Sequence, residues 1–283
     1  MTQFLLGVDS TPDESSLWHD SVMNEERTVW SSLNTIHGVV YSHPEAAKSY
    51  KELGLRGYWS GYFASRAAAL GTPSARLVTA LFHGFAPPKV ARAIPEAWDL
   101  ANPADVLKVR LSLARDALGR FLPDSDFSAP ADELSDVVAG LDFAGKALAA
   151  AHADVAVSDD PLDRLWHAAT VLREYRGDIH IGVLNACRLN GAEANALQVA
   201  VGNAPKEKQK ERGWDDESWS NAVDRLITRG WVDADGNATD VGREQREEIE
   251  ILTDEASSST ISRLSTDTSA VLNAMAARIT EKA

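Results

Sequence analysis

Apolar residues recur along nearly the whole chain at the spacing of one helix face. Val29, Trp30, Leu33, Ile36 and Val40 set that period within residues 27–53, and His43-Pro44 interrupts it, because proline disfavours helical backbone at the residue before it. The segment GYWSGYFASRAAALG (57–71) resumes the period and stops at Gly71, a residue suited to closing a helix. Thr72 and Pro73 predict the start of the next helix, with Thr72 as its cap. One or two short helices are predicted within 87–99, then longer ones at 103–121 and 131–153 with a turn-rich break between them. AVSDDP (156–161) reads as a linker, and helices follow at 162–176, 178–190, 192–202 and 215–229. Only GWVDADGNATD (230–240) reads as a hairpin, turning at Asp235-Gly236. Helices at 240–256 and 269–281 complete a mainly α pattern.

Two stretches of the chain align without a gap. Setting Arg56-Gly57 over Arg176-Gly177 places Gly71 on Gly191, Leu77 on Leu197 and Ala80 on Ala200. Each stretch is followed by a tryptophan, Trp98 or Trp214, ahead of an amphipathic helix. The expected organisation is therefore a duplication. It comprises a disordered leader (1–24), a first helical half (25–155), a second half (160–257) and a helical tail (258–283).

The second half carries a resemblance. In ESWSNAVDRLITRGWVDADGNATDVGREQREEIEILTD a helix ends at Arg229-Gly230 and enters an extended Trp231-Val232. The chain returns through Ala238-Thr239-Asp240-Val241-Gly242 into a long charged helix. Residues 192–256 thereby resemble the winged helix-turn-helix of MarR-type regulators, in which Leu-Thr-x-x-Gly is common at that return. The whole chain is also similar to an actinobacterial family of about this length described as helix-turn-helix or MarR-like. The resemblance implies a small wing packed on the helix bearing Val223, Leu226 and Ile227. With the duplication, it implies two winged-helix-like halves packed as a pseudo-dimer in one chain, with a ligand pocket between them.

Composition sharpens the picture. The 283 residues are 44% apolar and carry a net charge of −14 with a single cysteine, Cys187. A core is affordable, no intrachain disulfide exists, and no apolar run is long enough to span a membrane. The start lacks a basic, apolar signal segment, so a cytoplasmic location is expected. DNA is bound through lysine and arginine. The helix in the recognition position instead has Asp215, Asp216, Glu217 and Asp224 against Arg225 and Arg229, and the wing has no basic residue. Helix 103–121 is better supplied, with Lys108, Arg110, Arg115 and Arg120. KEKQKER (206–212) reads as a solvated face.

Chemistry concentrates in LREYRGDIHIGVLNACRLNG (172–191). Three readings of it stay open. Asp178 caps a helix that restarts after a bend at Gly177; His167, Glu174, Asp178 and His180 ligate a metal; or His180 and Leu184 form the polar head and apolar wall of a pocket, with His180 as an acid-base group oriented by Asp178 or Glu174. The pocket reading is stronger than the metal one, and no metal is assigned. Arg66, on an Ala-rich helix, needs a carboxylate or an anionic ligand, and is expected to face the same cavity as His180. Tyr58, Trp59, Tyr62 and Phe63 of that helix, His43 at the rim with Tyr41 and Tyr50, His167, and Glu174 with Arg176 complete the expected ligand contacts. His83 is read as a packed core histidine. No Gly-rich phosphate loop or Cys-x-x-Cys pair is present, so no cofactor is expected.

The expectation is a MarR-like derivative that has lost DNA binding. It would hold a small organic molecule between its halves, with or without catalysis by His180. The alternative is a ligand-responsive regulator reading DNA through 103–121 and 216–229. A third reading uses the last helix as a partner seam. Oligomeric state stays open.

Overall fold

The computed structural model describes residues 14–282, with side chains from Glu25 onward. The first thirteen residues of the expected leader lie outside the described residues, and helix α1 (Glu14–Gly38) already starts within it. There follow α2 (Ala46–Glu52), α3 (Gly57–Ala67, extended by a 3-10 turn at Ala68–Leu70), α4 (Ala75–Leu81), α5 (Pro87–Ala91), α6 (Glu96–Leu100) and α7 (Pro103–Phe121). Next come α8 (Ser128–Ala139), α9 (Ala147–Ala153), α10 (Pro161–Ala186), α11 (Gly191–Ala200) and α12 (Lys208–Arg212). The chain ends with α13 (Asp216–Thr228), α14 (Asp240–Ile261) and α15 (Thr266–Lys282). The antiparallel bridge Val232–Ala238 is the only β pairing among the described residues. Its turn is the expected one, with Gly236 at φ +86° and Asp233 Oδ1 accepting from the backbone of Asp235 and Asn237.

Helix α10 departs most from expectation. It is one continuous helix through Gly177, not two meeting there. Asp160 caps its start, its carboxylate accepting from Leu162 and Asp163 N–H, with Pro161 in the first turn. An interior glycine costs a helix about 1 kcal/mol. Packing of α10 against α1, α8, α9 and α14 offsets that cost. Residues 131–153 split the other way, into α8 and α9. Gly145 takes a positive φ between them, and the Arg263 guanidinium occupies the space a side chain at Gly140 would need. Ser74, not Thr72, caps α4, accepting from Leu77 N–H.

Two cores of unequal size result. The larger draws on α1 to α10 and returns for Leu272, Met275 and Ile279 of α15. The segment 258–283 is therefore no separate tail: α15 lies on α1 and α8, and Ser32 donates to Asn273 across that contact. The smaller core joins Leu184 and Leu189 at the end of α10 to Ala196, Leu197, Leu226, Val232 and Ile249. On α13, Ala222 and Leu226 point inward one turn apart and Val223 flanks them. Ile227 is exposed, not packed under the wing, because it lies on the other side of the helix from that pair.

The glycines aligned by the apparent repeat sit in different backbone settings. Gly57 heads α3 with φ +73°, whereas Gly177 is inside α10. Gly71 closes a 3-10 turn at φ +77°, whereas Gly191 opens α11.

The loop Phe82–Ala86 joins the larger core to the smaller unit. The Gly84 carbonyl accepts from Asn195 Nδ2 (2.7 Å) and Trp214 Nε1 (3.1 Å), and Ala86 N–H donates to Arg212 O (2.9 Å). Asp254 of α14, fully buried, takes Arg27 of α1 and Arg176 of α10. At Gly191 an added Cβ would sit 2.0 Å from the His83 carbonyl oxygen. Gly191→Ala is therefore expected to destabilise by about 1–3 kcal/mol. Gly119→Ala, on open helix surface, should be neutral or stabilising by up to about 1 kcal/mol. Urea unfolding of both variants checks this, and equal stabilities would contradict the close approach.

Candidate functional site

Glu174 sits deepest. Its carboxylate is 1% exposed and accepts from Arg66 Nε (3.2 Å) and Nη2 (2.8 and 3.0 Å), and from Arg173 Nη1 (2.5 Å). Burial alone would push this carboxyl up, but Arg173 and Arg66 outweigh burial and hold it well below the usual range. Arg66 also donates to the Tyr62 hydroxyl (3.2 Å) and lies 4.2 Å from the Phe82 ring centre.

A cavity of about 410 Å³ opens over this cluster, between the 81–85 loop, α10, α11, α12 and α14. Five basic side chains line it, Arg66, Arg173, Lys208, Arg212 and Arg246, against two carboxylates, Glu174 and Asp178. Lys208 and Arg212, one turn apart on α12, turn inward and make no ion pair within 4 Å among the described residues. The stretch 206–212 is thus not simply a solvated face. Burial pushes the Lys208 ammonium down, and Arg212 pushes it further. Arg212 stacks over Phe85 at 4.2 Å. Arg246 pairs with Glu250 (2.6 Å) and donates through Nε to the Gln198 amide oxygen (2.8 Å), but its buried Nη1 has no partner.

His180 reaches the same cavity. Its Nδ1 lies 3.0 Å from Thr253 Oγ1, and that hydroxyl gives its one proton to Ile249 O (2.7 Å). Nδ1 therefore carries the imidazole proton and Nε2 is left as an acceptor. Burial pushes its pKa down to about 4, so the ring is neutral at pH 7. Asp178 caps a helix other than its own. Its Oδ2 accepts from Leu148 N–H (2.9 Å) and Ala149 N–H (3.0 Å) in the first turn of α9, where Lys146 supplies no side-chain cap. Burial pushes this carboxyl up to about 6, against those two bonds.

The expected residues divide into two sets. Arg66, Glu174, Asp178, His180 and Leu184 meet in the cavity. Tyr62 touches it only through Arg66, and Phe63 is core. Trp59 carries the Lys89 ammonium on its face at 3.7 Å, and Tyr58 is exposed. His43 stands between Asp116 and Arg120 of α7, away from the cavity. Arg176 is tied to Glu250 and Asp254, and His167 donates to His152 O (2.9 Å). His83 lines the cavity instead of packing in a core. Lys208, Arg212, Arg246 and Asn195 are among the lining residues not singled out beforehand. The spacing of Lys208 and Arg212 was the one available sign. His167, Glu174, Asp178 and His180 do not converge, and no cluster of three potential metal ligands occurs among the described residues.

The surfaces that would meet DNA are poor in free cations. On α13, Arg225 reaches back to Glu193 (2.5 Å) and Arg229 donates to the carbonyls of Cys187 and Arg188, leaving Asp216, Glu217 and Asp224 exposed. On α7, Arg110 is buried and Arg115 is bound to the buried Asp163. Arg120 pairs with Asp116, and Lys108 with Asp105.

Burial fixes the response to acid. An imidazole held neutral binds its proton less readily folded than unfolded. The resulting stability is complete above the unfolded value of about 6.5 and is lost as pH falls toward the folded value. The folded values are about 4 for His180 and about 3 for His152, and burial lowers His37, His83 and His167 too. Asp178, raised to about 6, has the opposite sign and gains stability as pH falls through that value. Five imidazoles outweigh one carboxyl. Tm is expected to drop between pH 7 and about pH 5, by about 2–4 °C per kcal/mol lost. Circular dichroism melts at matched ionic strength check this, and a flat or rising Tm contradicts it.

No helix among the described residues is long and apolar enough to cross a membrane. Comparison with curated proteins gives no match, and comparison with solved structures gives none. A family model does match, over residues 26–283, and by that match the chain belongs to a helix-turn-helix family.

Proposed function

We propose that this helix-turn-helix protein binds an anionic small organic molecule in the cavity over Arg66 and Glu174. One observation carries the reading. A chain of net charge −14 places five basic side chains around a single cavity, and the two carboxylates there are already engaged. Glu174 is neutralised by Arg66 and Arg173, and Asp178 is held by the backbone of α9. Lys208, Arg212 and the free edge of Arg246 remain for a ligand carboxylate or phosphate. Phe82, Phe85, Ile181, Leu184 and Leu197 supply apolar walls for its organic part.

His180 acts in this reading as an acceptor, through Nε2, for a ligand hydroxyl or N–H. A general base works best with a pKa near the working pH, and about 4 is far from it. Binding without catalysis is therefore favoured. The MarR-type likeness is taken for residues 191–261 alone, where α11, α13, the bridge and α14 follow the order of a winged helix-turn-helix. No second copy in 25–155 is required. Membership of the family favours a second reading, a ligand-responsive DNA-binding regulator. The acidic outer face of α13 weighs against it.

Thermal-shift and calorimetric titrations with mono-, di- and tricarboxylates and phosphomonoesters test the first reading. At least one class should bind, more weakly as salt rises. Lys208→Ala with Arg212→Ala should reduce its affinity tenfold or more, about 1.4 kcal/mol, while leaving the fold intact. If no anion binds, or the double variant binds as well as the native chain, the cavity is not the site. Mobility shifts on random and promoter DNA at low salt address the second reading. A shift abolished by Arg225→Ala or Arg229→Ala would replace the first reading with it.

A further inference from the structure

The N-terminal half of α10 borders a second cavity, of about 480 Å³, shared with α7 and the segment after α9. Leu107, Leu111, Val155, Val157 and Trp166 make its wall apolar. Into it comes one charge, Arg110, 1% exposed. Arg110 Nη2 donates to the Tyr41 hydroxyl (3.0 Å), but Nε and Nη1 are buried with no acceptor. Among the described residues no carboxylate lies within 4 Å of this guanidinium, whereas Arg66, Arg115 and Arg176 all have one.

A buried charge without a counter-charge is strongly unfavourable. The rings of Tyr41 and Trp166, each 5.4 Å from the Arg110 guanidinium carbon, relieve only part of that cost. The described residues offer no remedy of their own. Asp154 at the mouth is exposed and does not reach Arg110, and Lys108 beside it is paired with Asp105. His152 and His167 are held neutral by burial, and each donates its Nε2 proton to a backbone carbonyl. The missing partner is thus one negative charge attached to an apolar body. A dianion would exceed the single guanidinium, and a polar body would meet the wrong walls.

We propose that this cavity binds an amphipathic monocarboxylic acid. Its carboxylate accepts from the unpaired N–H groups of Arg110, and its hydrocarbon part lies against Leu107, Leu111, Val157 and Trp166. The site is distinct from the basic cavity and does not depend on it.

Calorimetric titration of the full chain with decanoate tests this. One decanoate should bind per chain, and 1-decanol, which has the same tail without the charge, should bind at least tenfold more weakly. Arg110→Met should lower decanoate affinity at least tenfold, and decanoate should raise the Tm of the native chain but not of this variant. Leu107→Trp fills the cavity without touching the charge, and should also abolish binding; it decides the matter if Arg110→Met does not fold. Arg212→Ala, in the other cavity, should leave decanoate binding unchanged. The proposal is overturned if decanoate does not bind, if decanol binds as tightly, if Leu107→Trp binds normally, or if only Arg212→Ala loses binding.

Discussion

The buried carboxylate of Glu174 is the constraint around which the smaller unit and the first helices are arranged. A carboxylate at 1% exposure survives as an anion only if cations come to it. Arg66 comes from α3 and Arg173 from the preceding position on α10. Arg66 must then be buried as well, and Phe82 and Tyr62 close over its guanidinium. That closure fixes the 82–86 loop, and the same loop holds Asn195, Trp214 and the backbone of Arg212. The inward turn of Arg212 and Lys208 thus follows from an ion pair formed some distance away in the sequence.

Much of this arrangement was legible in the residues. An arginine on an Ala-rich helix demands a partner, and Glu174 is one of two carboxylates in the segment 172–191. What escaped was the continuity of α10. Gly177 followed by Asp178 reads locally as a stop and a cap, and local preference favours the break. Packing on four neighbouring helices overrides it. Once the helix runs through, Asp178 is free to face the start of α9. The basic lining of the cavity was hidden for a related reason. KEKQKER alternates charge in a way that fits a solvated surface, and only the position of α12 beside the 82–86 loop turns two of its cations inward.

The aromatic stripe of α3 shows the limit from the other side. Trp59, Tyr62 and Phe63 are among the residues expected as ligand contacts, and they do cluster, with ring centres 5.5–6.0 Å apart. Their partners are Phe82 and Phe85, so the cluster is the packing that supports the 82–86 loop. Spacing alone cannot separate a stripe that lines a cavity from one that props up its wall.

The arginines of α7 and α13 show how a helix-turn-helix chain can use its guanidinium groups within its own fold. A guanidinium that neutralises a buried carboxylate is held at a fixed place, and moving it to a phosphate would leave that carboxylate uncompensated. Arg225 is held by Glu193 and Arg115 by Asp163, while Arg229 satisfies the carbonyls that end α10. These residues lie on the helices that a basic count would nominate for DNA, yet their charge serves the interior. Lys208 and Arg212, which have no such duty, line the cavity over Arg66 and Glu174. On α7 and α13, then, the guanidinium charge is engaged by groups of the protein itself.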